Sequence, residues 1–593
     1  MSARSWWLRG VSAALLACAA SAAQPQPTAE ATSALLKSLL DEDLDAVYRR
    51  SPFQATARGV AGYNHLLPDL SLATLEKEHV RERDALARLQ RMDPALLRGQ
   101  ERMSYDLLLD RMEIAVAAQR FPERDGLILS TIGGFQNAMP RGAQVLPFRA
   151  SQDYRDFIQR LRSTPAYIDG IIDRLKLGMR TGWLAPVGVV DRIVAAIDAH
   201  LVDDADKSVV LEPFRRFAPG VQDPERGALL ADAKRAITED YQPAMRRARA
   251  FLVTEYRPKA PADGGLAALP GGTRYYDFLI NSNVIRGETA ASIHALGLRE
   301  VARIRGEIGA IAERLGYAGT ADHFIRYLSS DPGFFFTSAD AVLAAYRAMP
   351  ARVDPQLPRF FHSVPRMPYA VRAMTPAESA SSSAANYQVG SLALGTTAYF
   401  TINALGYENE ATWRVSTVFL HETVPGHHFQ LARAAEIEGL HPWRAVVSGN
   451  VGYTEGWALY AERLGYPMGL YEDPYQQYGQ LQAELFRAAR LVVDTGIHLY
   501  GWPRDRAILY LWIQGGMDYK FALSEADRYF SNPSQALGYM MGQRKFLELR
   551  ARAERALGPR FDVRDFHAVA LDEGPMPLAV LEKRVDEWLR ASR

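Results

Sequence analysis

Cysteine is nearly missing from this 593-residue sequence: Cys18 is the only one. It stands in an N-terminal segment that reads as a cleaved leader, so the mature chain would carry no thiol. That excludes disulfides, thiolate metal ligands and a cysteine nucleophile, and it suits an oxidising compartment. An excess of one charge is missing too. With 69 Lys and Arg against 68 Asp and Glu, there is no basic surplus to neutralise phosphates, which speaks against nucleic acid as a partner. There is no acidic tail, no long block of like charge, no internal repeat and no low-complexity tract. The Gly-x-Ser-x-Gly elbow of many serine hydrolases does not occur. Beyond the leader, no apolar run is long enough to cross a bilayer.

What is present is ordinary for a soluble globular protein, and the length allows a large core in about two to four domain-sized units. Arg4 and Arg9 precede an apolar run over residues 11–20, which ends in Ala20-Ser21-Ala22-Ala23 before Gln24-Pro25. That is the layout of a secretory signal peptide over residues 1–23, and it places the protein in the periplasm or outside the cell. The second choice is a membrane-anchored lipoprotein. Leu15-Leu16-Ala17-Cys18 partly resembles a lipobox, with Cys18 as the lipidated residue, although Leu16 is bulkier than that site prefers.

Apolar residues recur three and four apart through much of residues 24–256, as in Leu35-Leu36…Leu39-Leu40…Leu44…Val47 and Tyr154…Phe157-Ile158…Leu161. This predicts an N-terminal helical lobe. An Ala/Gly/Pro-rich stretch, residues 258–272, reads as the loop to a second, catalytic lobe over 257–593, and a long amphipathic helix should follow over 289–315. Residues 356–403 change character. Phe360 to Val364, Tyr369 to Val371 and 387–403 have strand composition, which predicts one small antiparallel sheet in a mainly α protein. The strand over 396–403 could pair with an extended peptide as an edge strand, or it could be internal.

The most informative stretch is His421-Glu422-Thr423-Val424-Pro425-Gly426-His427-His428. Zinc hydrolases often carry His-Glu-x-x-His on a helix, with the glutamate acting on the metal's water. Here Pro425 stands where the second histidine belongs. On a regular helix, residues six apart lie about 120° out of phase and about 9 Å apart along the axis. His421 and His427 therefore cannot share a zinc with bonds of about 2.0–2.1 Å unless the helix is distorted. Pro425 lacks the N–H that would return to the His421 carbonyl, and Gly426 has unusual conformational freedom, so a two-residue bulge could bring His427 round. His428 is in phase with His421 but about 10.5 Å away by the same rise, which favours His427 as the ligand. The alternative is a helix that ends at Pro425-Gly426 with two exposed histidines after it.

Twenty-eight residues beyond His427, Glu455 lies in a largely apolar helical context where an unpaired carboxylate is costly. Two histidines and a glutamate leave one zinc position open for water. The plain alternative is a helix-start carboxylate favoured by the dipole. Glu462, beside Arg463, reads as a surface or salt-bridged group.

With these segments together, the chain resembles a bacterial family of mostly secreted proteins, domain-of-unknown-function family 885. The shared features are the 421–428 motif, Gly452-Tyr453-Thr454-Glu455-Gly456-Trp457-Ala458-Leu459-Tyr460 and Val493-Asp494-Thr495-Gly496-Ile497-His498 through Gly501-Trp502. Ala536-Leu537-Gly538-Tyr539 and Phe566-His567…Gly574…Pro577-Leu578 match as well. That family in turn looks like the helical zinc peptidases of the thimet-oligopeptidase and thermostable-carboxypeptidase type. Their His-Glu-x-x-His lacks the two extra residues found here, and aligning their Gly-His with Gly426-His427 again favours His427. The resemblance implies a large two-lobed helical fold with a central cleft and a small sheet, one zinc ion, and peptidase-like chemistry on a peptide or small amide.

In that chemistry Glu422 is the general base, and His421, His427 and Glu455 are the metal ligands. The developing oxyanion needs a donor, for which Tyr539 is the candidate. Asn532-Pro533 would start its helix, with Gly538 and Gly542 leaving room around the ring, although a core tyrosine would look the same. Asp494 and His498, four apart, could orient an imidazole near the site, or could form a structural pair with Arg490. Three functions stay open: a zinc peptidase, a metal hydrolase of other amides or esters, and a metal- or peptide-binding protein without catalysis. Glu422 argues against the last, since binding needs ligands but no base.

Overall fold

The computed structural model describes residues 28–592 except 132, 376–378, 380–384, 391–396 and 448. The leader and Cys18 lie outside the described residues. The fold is mainly α, as the periodicity predicts, and among the described residues no helix is long and apolar enough to cross a membrane.

Local signals account for the long helices. The helix Ala29–Arg50 starts where Thr28 accepts the Ala31 N–H, and it buries Leu36, Leu39 and Leu40. The helix expected over 289–315 runs Ala290–Arg314. Its Thr289 cap and Ser292 exchange hydrogen bonds at 3.0 and 3.1 Å, and Ile293, Val301, Ile304, Ile308 and Ile311 form its buried stripe. That stripe packs on the helix Pro474–His498, where a Cβ at Gly297 would lie 3.0 Å from the Val492 backbone. The 258–272 stretch is mostly loop, with the short 3₁₀ turns Arg257–Lys259 and Leu266–Ala268, and the helix Gly272–Asn283 begins at its end.

Among the described residues there are two large hydrophobic cores, beside a small third cluster of Met367, Ala398 and Ala432. One joins residues from Leu129 to Leu328 with others between Ala411 and Met541. The other joins Leu36 to Met112 with residues from Val342 to Leu589. The helix Gly538–Leu557 belongs to both, with Met540 and Met541 in the first and Phe546 and Leu549 in the second. Its partner is the helix Val451–Arg463, and the two backbones nearly touch. A Cβ on Gly542 would lie 1.8 Å from the Gly452 carbonyl oxygen, and one on Gly456 would lie 2.4 Å from the Gly542 Cα. Only glycines permit so close a crossing.

The sheet is small but mixed, which corrects the antiparallel expectation. Strands β1 (Tyr369–Ala373), β2 (Ala385–Gln388) and β3 (Ala398–Ile402) lie in the order β1-β3-β2. β3 is parallel to β1 and antiparallel to β2. It is therefore the central strand, which overturns its reading as an edge for peptide pairing. Ala398, Phe400 and Ile402 face the core, and Tyr399 is exposed. Phe360 to Val364 form no strand. The 3₁₀ turn Asp354–Arg359 carries prolines at 355 and 358, and Phe360 and Phe361 enter the core directly after it.

Two buried histidines tie distant segments together. His498 Nδ1 accepts the Leu266 N–H at 3.0 Å, and its Nε2 donates to the Tyr529 carbonyl at 3.0 Å. His567 Nδ1 donates to the Phe360 carbonyl at 2.9 Å, and its Nε2 accepts the Tyr460 hydroxyl at 2.7 Å. Burial pushes the pKa of His498 down to about 4 and that of His567 down to about 3. Both are neutral in the fold yet protonate near pH ~6.5 once unfolded. The unfolded chain thus binds more protons below that pH, and stability falls with acidification through this window.

Two predictions follow from this packing. Gly542→Ala should destabilise by about 2 kcal/mol or more in guanidinium unfolding, because the added methyl meets backbone. Gly306→Ala, on the exposed side of the helix Ala290–Arg314 with nothing within 4 Å, should instead gain about 0.5–1 kcal/mol. A neutral Gly542→Ala would refute the close crossing. The melting temperature should also drop between pH 6.5 and 4, and less steeply in His567→Gln, which has no ring to protonate. An unchanged slope in that variant would remove His567 from the account.

Candidate metal centre

The octapeptide is divided between two helices, Val415–Glu422 and His427–Ala435, and is not a bulge within one. Thr423 leaves helical angles at φ −113°, ψ −114°, and Gly426 lies at φ −77°, ψ −128°. The Val424–Pro425 peptide is cis. The chain folds back so closely over the first helix end that a Cβ on Gly426 would lie 2.0 Å from the His421 carbonyl oxygen. Trp457 donates its indole N–H to the Pro425 carbonyl at 2.7 Å, and the Phe429 N–H bonds the Thr423 carbonyl at 3.2 Å. His421 is thus in the last turn of one helix and His427 is the first residue of the next. Six residues apart in sequence, their rings lie 4.8 Å apart at 85°.

Glu455 completes the group. Its Oε2 lies 3.6 Å from His421 Nε2 and 3.4 Å from His427 Nε2. Tetrahedral ligands with zinc bonds of about 2.0–2.1 Å would stand roughly 3.3 Å from one another, so the donor set fits that ion. All three donor atoms lie within 4.8 Å of each other. Burial would raise the Glu455 carboxyl, but the two imidazoles hold it well below the carboxylate range. Burial would likewise lower His421, yet Glu455 and Glu462 lift it to about 9. The surroundings favour positive charge at this point.

Glu462 is the residue that sequence reasoning missed. It is buried, not at the surface, and its Oε1 accepts from His421 Nδ1 at 2.8 Å. A carboxylate in that position fixes the ring and leaves Nε2 free to face Glu455. The available signal was spacing: Glu462 is seven residues after Glu455, two turns along the same helix face. His428 turns away. It is buried, its Nδ1 is 3.0 Å from the Tyr387 hydroxyl of β2, and burial lowers its pKa to about 4.

Glu422 ends the first helix, half-buried beside His421, with no hydrogen bond or ion pair to another described residue. Tyr539 is half-buried on the helix that crosses the Glu455 helix. Burial and the Glu455 charge both raise its phenol, against the pull of Arg490, Arg528 and Arg487, so it stays protonated. Its helix does not start at Asn532-Pro533. Asn532 closes the helix Tyr519–Ser531, Ser534 takes a left-handed φ of 69°, and the helix begins at Gly538. Gly538 and Gly542 serve the helix crossing more than the space around the ring. His498 is not brought to the cluster, and both its nitrogens are committed to backbone. Nor does it pair with Asp494, whose Oδ1 accepts from Tyr276 at 2.5 Å and from the Ser534 N–H at 3.0 Å. A second group, His362 with Asp562 and Asp565, lies at the surface, where Arg564 already engages Asp562.

Comparison with known proteins places the fold. No curated protein matches the chain. A solved structure from Colwellia psychrerythraea superposes with a TM-score of 0.86 at 24% identity, covering 95% of this chain and all of that one. A second, from Shewanella oneidensis, gives a TM-score of 0.72 at 17% identity, covering 92% of this chain and 99% of that one. Each is described as a "putative lipoprotein", the second "of unknown function". The family model described as "Bacterial protein of unknown function (DUF885)" matches residues 52–585, and the chain belongs to that family.

Proposed function

We propose that the protein is a zinc-dependent hydrolase, and most specifically a peptidase acting outside the cytoplasm. The observation that carries this reading is the convergence of His421 Nε2, His427 Nε2 and a Glu455 oxygen, with the uncommitted carboxylate of Glu422 next to a ligand. Zinc held there would lower the pKa of its water toward about 7 and polarise the scissile carbonyl. Glu422 accepts the proton of the attacking water and returns it to the leaving amine. Tyr539, kept protonated, donates to the oxygen that gains charge. Glu462 orients His421 through Nδ1 and touches no substrate. The leader over residues 1–23 supports a secreted or periplasmic location, and the descriptions of the two solved relatives as lipoproteins support export with the alternative of a lipid anchor at Cys18.

The protein purified from its own compartment should carry one zinc per chain by mass-spectrometric metal analysis. Glu422→Gln should keep that zinc and lose about 10³-fold or more in peptide hydrolysis. A metal-free protein, or a variant that cleaves as fast as wild type, sinks the proposal. Glu462→Gln should bind zinc about 10- to 100-fold more weakly in a chelator competition, with its melting temperature nearly restored by added zinc.

A further inference from the structure

The helices Leu72–Gln90, Gly99–Ala118, Ser151–Thr181 and Gly272–Asn283 border a cavity of about 830 Å³. Small-molecule sites commonly measure about 300–1,000 Å³. None of His421, Glu422, His427, Glu455 and Tyr539 lines it.

Most of the charge in its wall is already paired. Arg50 is bound to Glu78, Arg286 holds Asp110, and Arg111 gives Nε to Asp43 at 2.8 Å. One cluster is the exception. The 3₁₀ turn Pro122–Gly126 is pressed onto the helix Ser151–Thr181, where a Cβ on Gly126 would lie 2.4 Å from the Gly178 nitrogen. This turn sets Asp125, only 7% exposed, in the cavity wall beside Arg124 and Arg174. Arg124 Nε stands 3.5 Å from Asp125 Oδ1, and Arg174 Nη2 stands 3.9 Å from it. The carboxylate accepts no hydrogen bond from a described residue, while Arg174 spends its Nε on the Asp125 carbonyl at 2.7 Å. Arg124 Nε and His79 Nε2 are buried without a partner. Burial raises the Asp125 carboxyl, against the pull of Arg124, Arg174 and His79. Enclosed charged groups ordinarily complete their hydrogen bonds; here an acceptor and its neighbouring donors face one space unfilled. Leu127, Tyr275, Phe278 and Leu279 give that space an apolar flank, with the Tyr275 and Phe278 rings stacked at 6.1 Å.

We propose that this cavity binds a free α-amino acid with an apolar side chain. Asp125 receives its ammonium, Arg124 and Arg174 its carboxylate, and the flank around Tyr275 and Phe278 its side chain. Charge selects the class: a simple anion would face Asp125, and a simple cation would face two guanidinium groups. Spacing narrows it further. The acceptor and both donors lie within 4 Å, and an α-amino acid carries ammonium and carboxylate on a single carbon. The two ends of an extended peptide are farther apart, by about 3.3–3.6 Å for each added residue. The site depends neither on the metal cluster nor on the peptidase reading.

Calorimetric titration of the full chain with L-leucine and L-phenylalanine tests it. The comparison ligands are N-acetyl-leucine without the ammonium, leucinamide without the carboxylate, and glycine without the side chain. Leucine or phenylalanine should bind at least tenfold tighter than all three. Asp125→Asn should keep its melting temperature, weaken leucine at least tenfold, and lose the preference over N-acetyl-leucine. Should that variant fold poorly, Arg124→Gln is the second, and it should lose the preference over leucinamide. His427→Ala, which removes a candidate metal ligand, should bind leucine as wild type does. Three results overturn the site: no binding of either amino acid, equal binding of the comparison ligands, or leucine binding that a folded Asp125→Asn or Arg124→Gln protein retains in full. Loss of leucine binding in a folded His427→Ala protein does so as well.

Discussion

The contact between the helices Val451–Arg463 and Gly538–Leu557 is the constraint on which the candidate site depends. Three glycines, at 456, 538 and 542, bring the two backbones to a separation that a side chain at any of them would prevent. Glu455 and Glu462 ride on one of these helices and Tyr539 on the other. Trp457, also on the first, reaches across to the Pro425 carbonyl and so fastens the break between the two histidine helices. Candidate ligand, orienting carboxylate, candidate oxyanion donor and motif loop are thus all tied to one close crossing. A site built on packed helices holds its geometry better than one built on loops.

The electrostatics follow from that scaffold. Glu455 lies between two imidazoles, and Glu462 sits behind one of them, so carboxylates draw positive charge toward a buried point. Around Tyr539 the charge is of the other sign: Arg487 and Arg490 lie against its ring, and Arg490 and Arg528 share Glu525. Protein interiors retain such opposed charge only where the desolvation cost is offset by partners or by ligands.

Much of the fold was legible in the sequence. Three- and four-residue periodicity marks the long helices, and the Thr289 cap appears where a polar residue precedes an apolar stripe. Residue types alone also single out His421, His427 and Glu455 as a candidate metal-holding group, and the fold brings these three together. The small sheet was visible as composition, but its mixed order was not, since strand pairing is decided by distant partners. Glu462 read as a surface or salt-bridged group beside Arg463; it is buried and paired with His421, a partner from another helix that its own neighbours in sequence do not reveal.

What the sequence determined by itself is therefore the chemistry on offer: a largely helical chain, two histidines and two glutamates in an almost thiol-free protein. Tertiary structure decided which of those groups meet. Pro425 and Gly426 break the chain into two helices instead of bulging one, and this swings His427 toward Glu455 while His428 goes to the sheet. His498, plausible by spacing, became a buried tie between backbone segments. The reason is common to all three. Spacing along one helix is set by local geometry, whereas the direction a side chain faces across a break or a core depends on what the rest of the chain packs against it.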